Sequence, residues 1–163
     1  MDRIALRPAE STDARFLTDM LVEAKNWNSL RSRPRLEILE NPRARRYITG
    51  WMRPGDCGVI AVDQQGATVG ACWARIFPAD APGGGFVAAG VPELVLGVSP
   101  LWRAQGIGRT LLRELMSVAR SRGFSRISLT VQHDNFAARL YVSEGFTLVE
   151  SHESADTMVR VLR

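Results

Sequence analysis

The chain has 163 residues, 45% apolar and 23% charged, which suits one folded unit of ordinary size and excludes disordered and collagen-like proteins. No run approaches the roughly 18 apolar residues of a membrane span. The charged N-terminus (MDRIALRPAE) lacks the apolar core of a secretory signal, so a cytoplasmic protein without membrane partners is expected. The net charge is +4, and every basic residue except Lys25 is arginine; so modest an excess points to solvated faces rather than to a nucleic-acid surface.

In chain order, Ile4–Arg7 reads as a short strand ended by Pro8. Ser11 or Thr12 caps a helix with Phe16, Leu17, Met20, Leu21 and Ala24 at helical spacing. From Asn26 to Pro54 the pattern is polar, interrupted by Pro34 and Pro42, and rich in arginine from Arg31 to Arg46; it reads as one or two short helices in a long connection. Two strand-like runs, Cys57–Val62 and Ala67–Phe77, flank Asp63-Gln64-Gln65-Gly66, a hairpin signal. A two-residue turn at Gln64–Gln65 would set Cys57 opposite Cys72, and both are expected as buried free thiols. Pro78–Pro92, rich in glycine and proline, is a loop long enough to shape access to a site.

The second half has sharper signals. Glu93–Val98 is a strand that stops at Ser99-Pro100. A helix opens near Gly106–Gly108, carries an apolar stripe from Ile107 to Ala119, and ends at Gly123. Arg126–Val131 alternates as a strand, Asn135 caps a helix through Ser143, and Phe146–Val149 with Thr157–Leu162 forms a terminal hairpin. These elements describe an α/β or α+β domain with a mixed sheet.

The segment Val98-Ser99-Pro100-Leu101-Trp102-Arg103-Ala104-Gln105-Gly106-Ile107-Gly108-Arg109-Thr110 joins a strand, a tight loop and a helix. Glycines at a helix start let backbone come close to a ligand. The free N–H groups of the first turn and the helix dipole favour an anion such as pyrophosphate. Arg103 and Arg109 flank the site. The segment is not a Walker loop, and a dinucleotide fingerprint fits poorly because Thr110-Leu111 stands where its third glycine belongs.

Arg103-x-x-Gly106-x-Gly108 after a strand ending Val-x-Pro resembles the coenzyme A motif of the GNAT superfamily of N-acetyltransferases. Asp134-Asn135-Phe136-Ala137-Ala138-Arg139-Leu140-Tyr141-Val142-Ser143-Glu144-Gly145-Phe146 is similar to that family's second element. The likeness covers residues 56–162, with the first 55 fitting in general layout. It implies a strongly bent mixed sheet whose fourth and fifth strands splay apart, with helices on both faces. It also implies a single domain, in which residues 1–55 form the acceptor side and 56–163 the acyl-CoA core.

The resemblance further implies acetyl-CoA as co-substrate, no metal, and transfer of the acetyl group to a primary amine in a ternary complex. Backbone from Leu96 to Val98 would pair with the pantetheine arm. Amides from Arg103 or Gln105 through Thr110 would cradle the pyrophosphate, with Ala104, Gly106, Ile107, Gly108 and Arg109 in the cofactor-binding run. Asn135 would touch the pantetheine arm or only cap its helix. Tyr141 would protonate the departing thiolate, and Glu93 is the foremost carboxylate to receive the amine's proton, with His133 and Glu144 behind it. Phe136 departs from the proline the family often has there, and would set an aromatic near the acyl pocket.

The acceptor would be a small-molecule or peptide amine, with a homodimer open to the chain. Trp27, Trp51, Trp73 and Phe86 either line the acceptor pocket or belong to the core. The arginines from Arg31 to Arg46 either recruit an acidic acceptor or the adenosine phosphate, or are a solvated face. The competing readings are a non-catalytic acyl-CoA sensor and a nucleic-acid module. Against the latter, the aromatics do not interleave with the basic run.

Overall fold

Alternate residues of each strand face opposite sides, and in this chain both sides are apolar, so the sheet is covered twice. The computed structural model describes residues 3–163; the first two residues of the segment read for a signal lie outside it. Seven strands form one sheet: β1 (Ala5–Pro8), β2 (Cys57–Val62), β3 (Thr68–Arg75), β4 (Glu93–Val98), β5 (Arg126–Gln132), β6 (Thr147–Ser151) and β7 (Ala155–Val161). Their order is β1-β2-β3-β4-β5-β7-β6, with β4 and β5 parallel and every other pair antiparallel. Helices α1 (Ala14–Lys25), α2 (Arg35–Glu40) and α3 (Pro42–Arg45) precede β2, α4 (Ile107–Ser121) joins β4 to β5, and α5 (Ala137–Ser143) follows β5.

On one face, Leu111, Leu112 and Leu115 of α4 pack with Leu94, Ile127 and Leu129. On the other, Leu17, Met20 and Leu21 of α1 pack with Tyr47, Ile60 and Trp73. Helix α1 comes so close to β4 that a Cβ on Gly97 would lie 2.5 Å from the Met20 carbonyl oxygen.

Three local expectations are corrected. The start of α1 is held by Asp13 rather than Ser11 or Thr12. A 3-10 turn, Ser11–Asp13, precedes the helix, and the Asp13 carboxylate accepts the Glu10 N–H (2.7 Å) and a two-pronged contact from Arg7 (2.8 and 2.9 Å). Pro34 and Pro42 stand at helix starts, where a missing N–H costs nothing, instead of interrupting helices. In the β2–β3 hairpin, Cys57 pairs with Ala74 and Cys72 with Val59, so the thiols are not opposite. The Asp63 carboxylate accepts N–H groups from Gln65 and Ala67 (2.9 Å each), and Asp63 N–H reaches the Ala67 carbonyl. This closes a three-residue loop with Gly66 at φ 82°. Together with a bulge at Ala61/Val62 it moves the register by two. Both thiols are free and buried, as expected.

A buried ion pair ties the arginine-rich connection to the sheet. Arg75 in β3 has no exposed surface. It donates to both oxygens of Asp56 (3.2 and 2.7 Å) and to the carbonyls of Arg46 and Thr49 (2.8 Å each). Those two carbonyls bracket Tyr47. Replacing Arg75 with methionine is expected to lower the free energy of urea unfolding by about 3–5 kcal/mol, because Asp56 is left buried without its counter-charge. A double variant that also carries Asp56→Asn should recover part of the loss.

Candidate active site

Strands β4 and β5 meet at one register position, Glu93 with Ser128, where the Ser128 N–H also reaches the Pro92 carbonyl (2.9 Å). Beyond it they part, as expected from the family resemblance, and a cavity of about 670 Å³ lies in the gap. Along the β3 edge of β4 the Ser99 N–H reaches Val69 (2.8 Å). The strand's alternation therefore turns the backbone polar groups of Leu96 and Val98 to the opposite edge, into the gap.

The far end of the gap is closed by the loop before α4. Ala104 (φ 62°) and Gly106 (φ 83°) are left-handed, a conformation that directs successive N–H groups toward one concavity. Among the described residues, the N–H groups of Ala104, Gln105, Gly106, Ile107, Gly108 and Arg109 have no protein acceptor. The Thr110 N–H closes the first turn on the Gly106 carbonyl (3.1 Å), so the run of free donors ends at Arg109.

The two arginines at this loop do structural work. Arg103 binds Glu23 of α1 (3.0 Å) and the Val98 carbonyl (3.2 Å), and Arg109 binds Ser143 of α5 and Glu144 just after it (3.0 Å each). They fix the loop to its neighbours, and the backbone supplies the anion site. Asn135 accepts the Ala137 N–H (2.9 Å), so its carbonyl oxygen caps α5 while its side chain faces the cavity.

Of the residues singled out in the sequence, Glu93, Leu96, Val98, Arg103, Ala104, Gly106, Ile107, Gly108, Arg109, Asn135 and Tyr141 line this one cavity; Gln105 and Thr110 do not. Tyr141 sits on α5 with its ring edge-on to Phe146 (centroids 5.8 Å apart). Its hydroxyl makes no hydrogen bond among the described residues, and burial holds the phenol well above its ordinary pKa, hence protonated. Phe136 is exposed and faces the same space. Trp27 lines the cavity, whereas Trp51, Trp73 and Phe86 pack in the α1-side core. His133 pairs with Asp156 (2.9 Å) and Glu144 with Arg109 and Arg113, and neither reaches the cavity.

At the end opposite the free amides, Glu93 is 1% exposed. One carboxylate oxygen accepts the Gly85 N–H (3.0 Å) and the other accepts the Tyr47 hydroxyl, which itself accepts the Gly84 N–H (2.9 Å). Burial raises the Glu93 pKa to about 7, against the opposing pull of those hydrogen bonds and of Lys25 and Arg43. The same burial, then Glu93 itself, raises the Tyr47 phenol. The glycine-rich loop allows this geometry: a Cβ on Gly83 would lie 2.3 Å from a Glu93 oxygen, and one on Gly85 would lie 2.7 Å from the Leu129 backbone.

Lys25, the last residue of α1, also lines this end. Its ammonium stands 5.7 Å from the centroid of the Tyr47 ring, a cation–π contact. Burial lowers its pKa, Glu93 opposes this, and Arg33 and Arg43 reinforce it. Sequence reasoning did not find Lys25 or Tyr47, although Lys25 is the chain's only lysine, and Tyr47 and Tyr141 are its only tyrosines.

A mixed sheet parted between two parallel strands, with an amide-lined helix start at one end of the gap and a buried carboxylate at the other, is the arrangement that the resemblance of the sequence motifs implies. The chain belongs to the acetyltransferase (GNAT) family, whose sequence model matches residues 21–146. A mycothiol acetyltransferase of Beutenbergia cavernae is 35% identical over 115 residues, covering 70% of this chain and 35% of that protein. One of Thermobispora bispora is 36% identical over 108 residues, covering 63% of this chain and 34% of that protein. The chain thus spans about a third of the length of these relatives. Among solved structures, the PaiA N-acetyltransferase of Thermoplasma acidophilum, in complex with coenzyme A, superposes with a TM-score of 0.71 at 18% identity, covering 98% of this chain and 99% of that one.

Proposed function

We propose that the chain transfers an acetyl group from acetyl-CoA to the amine of a small molecule, within one ternary complex. The observation that carries this reading is the single cavity that holds free backbone donors at Ala104–Arg109, an unbonded phenol at Tyr141 and a raised carboxyl at Glu93. The names of the curated relatives support a small-molecule acceptor. Lys25 and Tyr47 on one side of the cavity, and Gly106 on the other, fit a division between an acceptor half in residues 1–55 and an acyl-CoA core in 56–163.

In this mechanism the free amides bind the pyrophosphate, and the gap-facing backbone of Leu96 and Val98 pairs with the pantetheine arm. The Val98 N–H polarises the thioester carbonyl. The amine nitrogen attacks that carbon, a tetrahedral intermediate forms, and its collapse breaks the C–S bond. The nitrogen's proton goes to Glu93, directly or through the Tyr47 hydroxyl, and Glu93 then releases it to solvent. Tyr141 gives its proton to the leaving sulfur and regains one from solvent. The net change is one N–C bond made, one C–S bond broken and one proton moved from nitrogen to sulfur.

The direct test is thermal denaturation with acetyl-CoA, beside NAD and a short DNA duplex. At about 100 times its Kd, acetyl-CoA should stabilise the fold by about 2.7 kcal/mol, or about 5–10 °C for a chain of this size. Thiol release across a panel of amines then reports turnover. No shift with acetyl-CoA would overturn the reading.

A further inference from the structure

Five charged side chains line the cavity: Glu23, Lys25, Glu93, Arg103 and Arg109. Glu23 and Arg103 bind each other, Arg109 binds Glu144, and Glu93 is held by Tyr47 and Gly85. Lys25 alone makes no ion pair and no hydrogen bond among the described residues, and its ammonium lies over the Tyr47 ring. A lysine at a helix C-terminus is favourable without being buried, so helix stability does not explain an ammonium drawn into a cavity wall.

The charges around Lys25 are two arginines and one carboxyl that is already held by Tyr47 and Gly85. Arg33 and Arg43 lie near enough to act on it, and the one acid that does so is Glu93. The field at this end therefore suits a ligand with an anionic group. That group is not a phosphate of the nucleotide. The free amides lie beyond Val98, whereas the Lys25 ammonium stands over Tyr47, which bonds Glu93 at the other end of β4, a strand about 16 Å long. The residue type matters as well. Elsewhere the chain uses arginine without exception, yet here it places a compact ammonium, which meets a single anion without the many donors a guanidinium must satisfy.

We infer that Lys25 docks a carboxylate of the acceptor, so that the acceptor class is amines that also carry a carboxylate, as amino acids do. The amine then meets Glu93 and Tyr47 while the carboxylate meets Lys25, and each charge of the zwitterion faces its complement. The inference rests on the acetyltransferase reading above and adds the substrate class to it.

Two measurements on the full chain decide it. Common amino acids and their carboxamides share the amine and differ in the carboxylate, and both sets are assayed with acetyl-CoA by thiol release. The acids should exceed their amides in kcat/KM by about 10- to 100-fold. Lys25→Met should erase that ratio by raising KM for the acids, with the acetyl-CoA melting shift retained. Because Lys25 is the only lysine, its rate of modification by an amine-reactive reagent, followed on its peptide by mass spectrometry, reports occupancy without turnover. Amino acids should protect it and their amides should not. Equal turnover of acids and amides overturns the inference, and so does absence of protection by every carboxylate at tens of millimolar. The labelling needs no acetyl-CoA, so a failed acetyl-CoA shift would count against the acetyltransferase reading and leave the docking of carboxylates to be decided separately.

Discussion

Replacing Tyr141 with phenylalanine is expected to lower kcat by about 10²- to 10⁴-fold while leaving the melting shift with acetyl-CoA in place. The phenol makes no hydrogen bond within the described protein, so its removal orphans no buried partner, and the edge contact with Phe146 survives in a ring of the same shape. What is lost is a proton donor facing the cavity. Burial keeps Tyr141 protonated far above neutral pH, which suits a group that must give a proton to a thiolate and never act as a base. Measured together, kcat and the Kd of acetyl-CoA separate the two roles. A variant with full kcat would assign the proton to another donor.

The second large effect concerns Glu93. With its pKa raised to about 7 by burial, the carboxyl is protonated in mildly acidic solution and cannot accept a proton there. In the proposed reaction, kcat/KM of the native chain should therefore rise with pH through about 7 and level off above it. Glu93→Gln should lower the plateau by about 10²-fold or more and remove that limb. Stability moves the other way. A carboxyl whose folded pKa lies above its ordinary value of 4.5 binds its proton more tightly when folded. Its contribution is complete below pH 4.5 and is lost as pH climbs toward 7. Urea unfolding of the native chain should show this decline, and Glu93→Gln should lack it. A pH profile unchanged by the substitution would remove Glu93 from the proton path.

Much of the cofactor half was legible because its signals are local. The Gly106–Gly108 spacing sits at the start of α4, and Asn135 and Tyr141 share one short helical segment, so neighbouring residues alone place them. Glu93 could be put at the start of β4, but its facing was not readable, since that depends on which residues of β3 and β5 flank it. Tyr47 was out of reach for a related reason. It meets Glu93 across 46 residues, and what brings it there is the Arg75–Asp56 pair clamping the carbonyls on either side of it. No periodicity in a polar, arginine-rich connection announces such a clamp. The hairpin register failed on one side chain, because Asp63 bonds two backbone amides and lengthens the turn. Of the acceptor-side aromatics the sequence singled out, only Trp27 lines the cavity, while the lone lysine and both tyrosines, which it passed over or read otherwise, all do.

The absence of side chains at Gly83 and Gly85 limits how the acceptor preference of the proposed reaction can change. Gly85 presses against the β5 main chain, which cannot yield, and Gly83 presses against the Glu93 carboxylate, which can move only by giving up its hydrogen bonds to Tyr47 and Gly85. Drift or laboratory evolution along that loop is therefore closed at those two sites, whatever acceptor is selected for. New preferences are expected from the end of α1 and the exposed turns that follow it, at Trp27 on the cavity wall and at exposed Arg33, whereas exchange of Arg43 would also remove one of the charges that hold down the Glu93 pKa. A saturation library split between the two regions should return its altered-specificity clones from the second and mostly unfolded or inactive ones from the first.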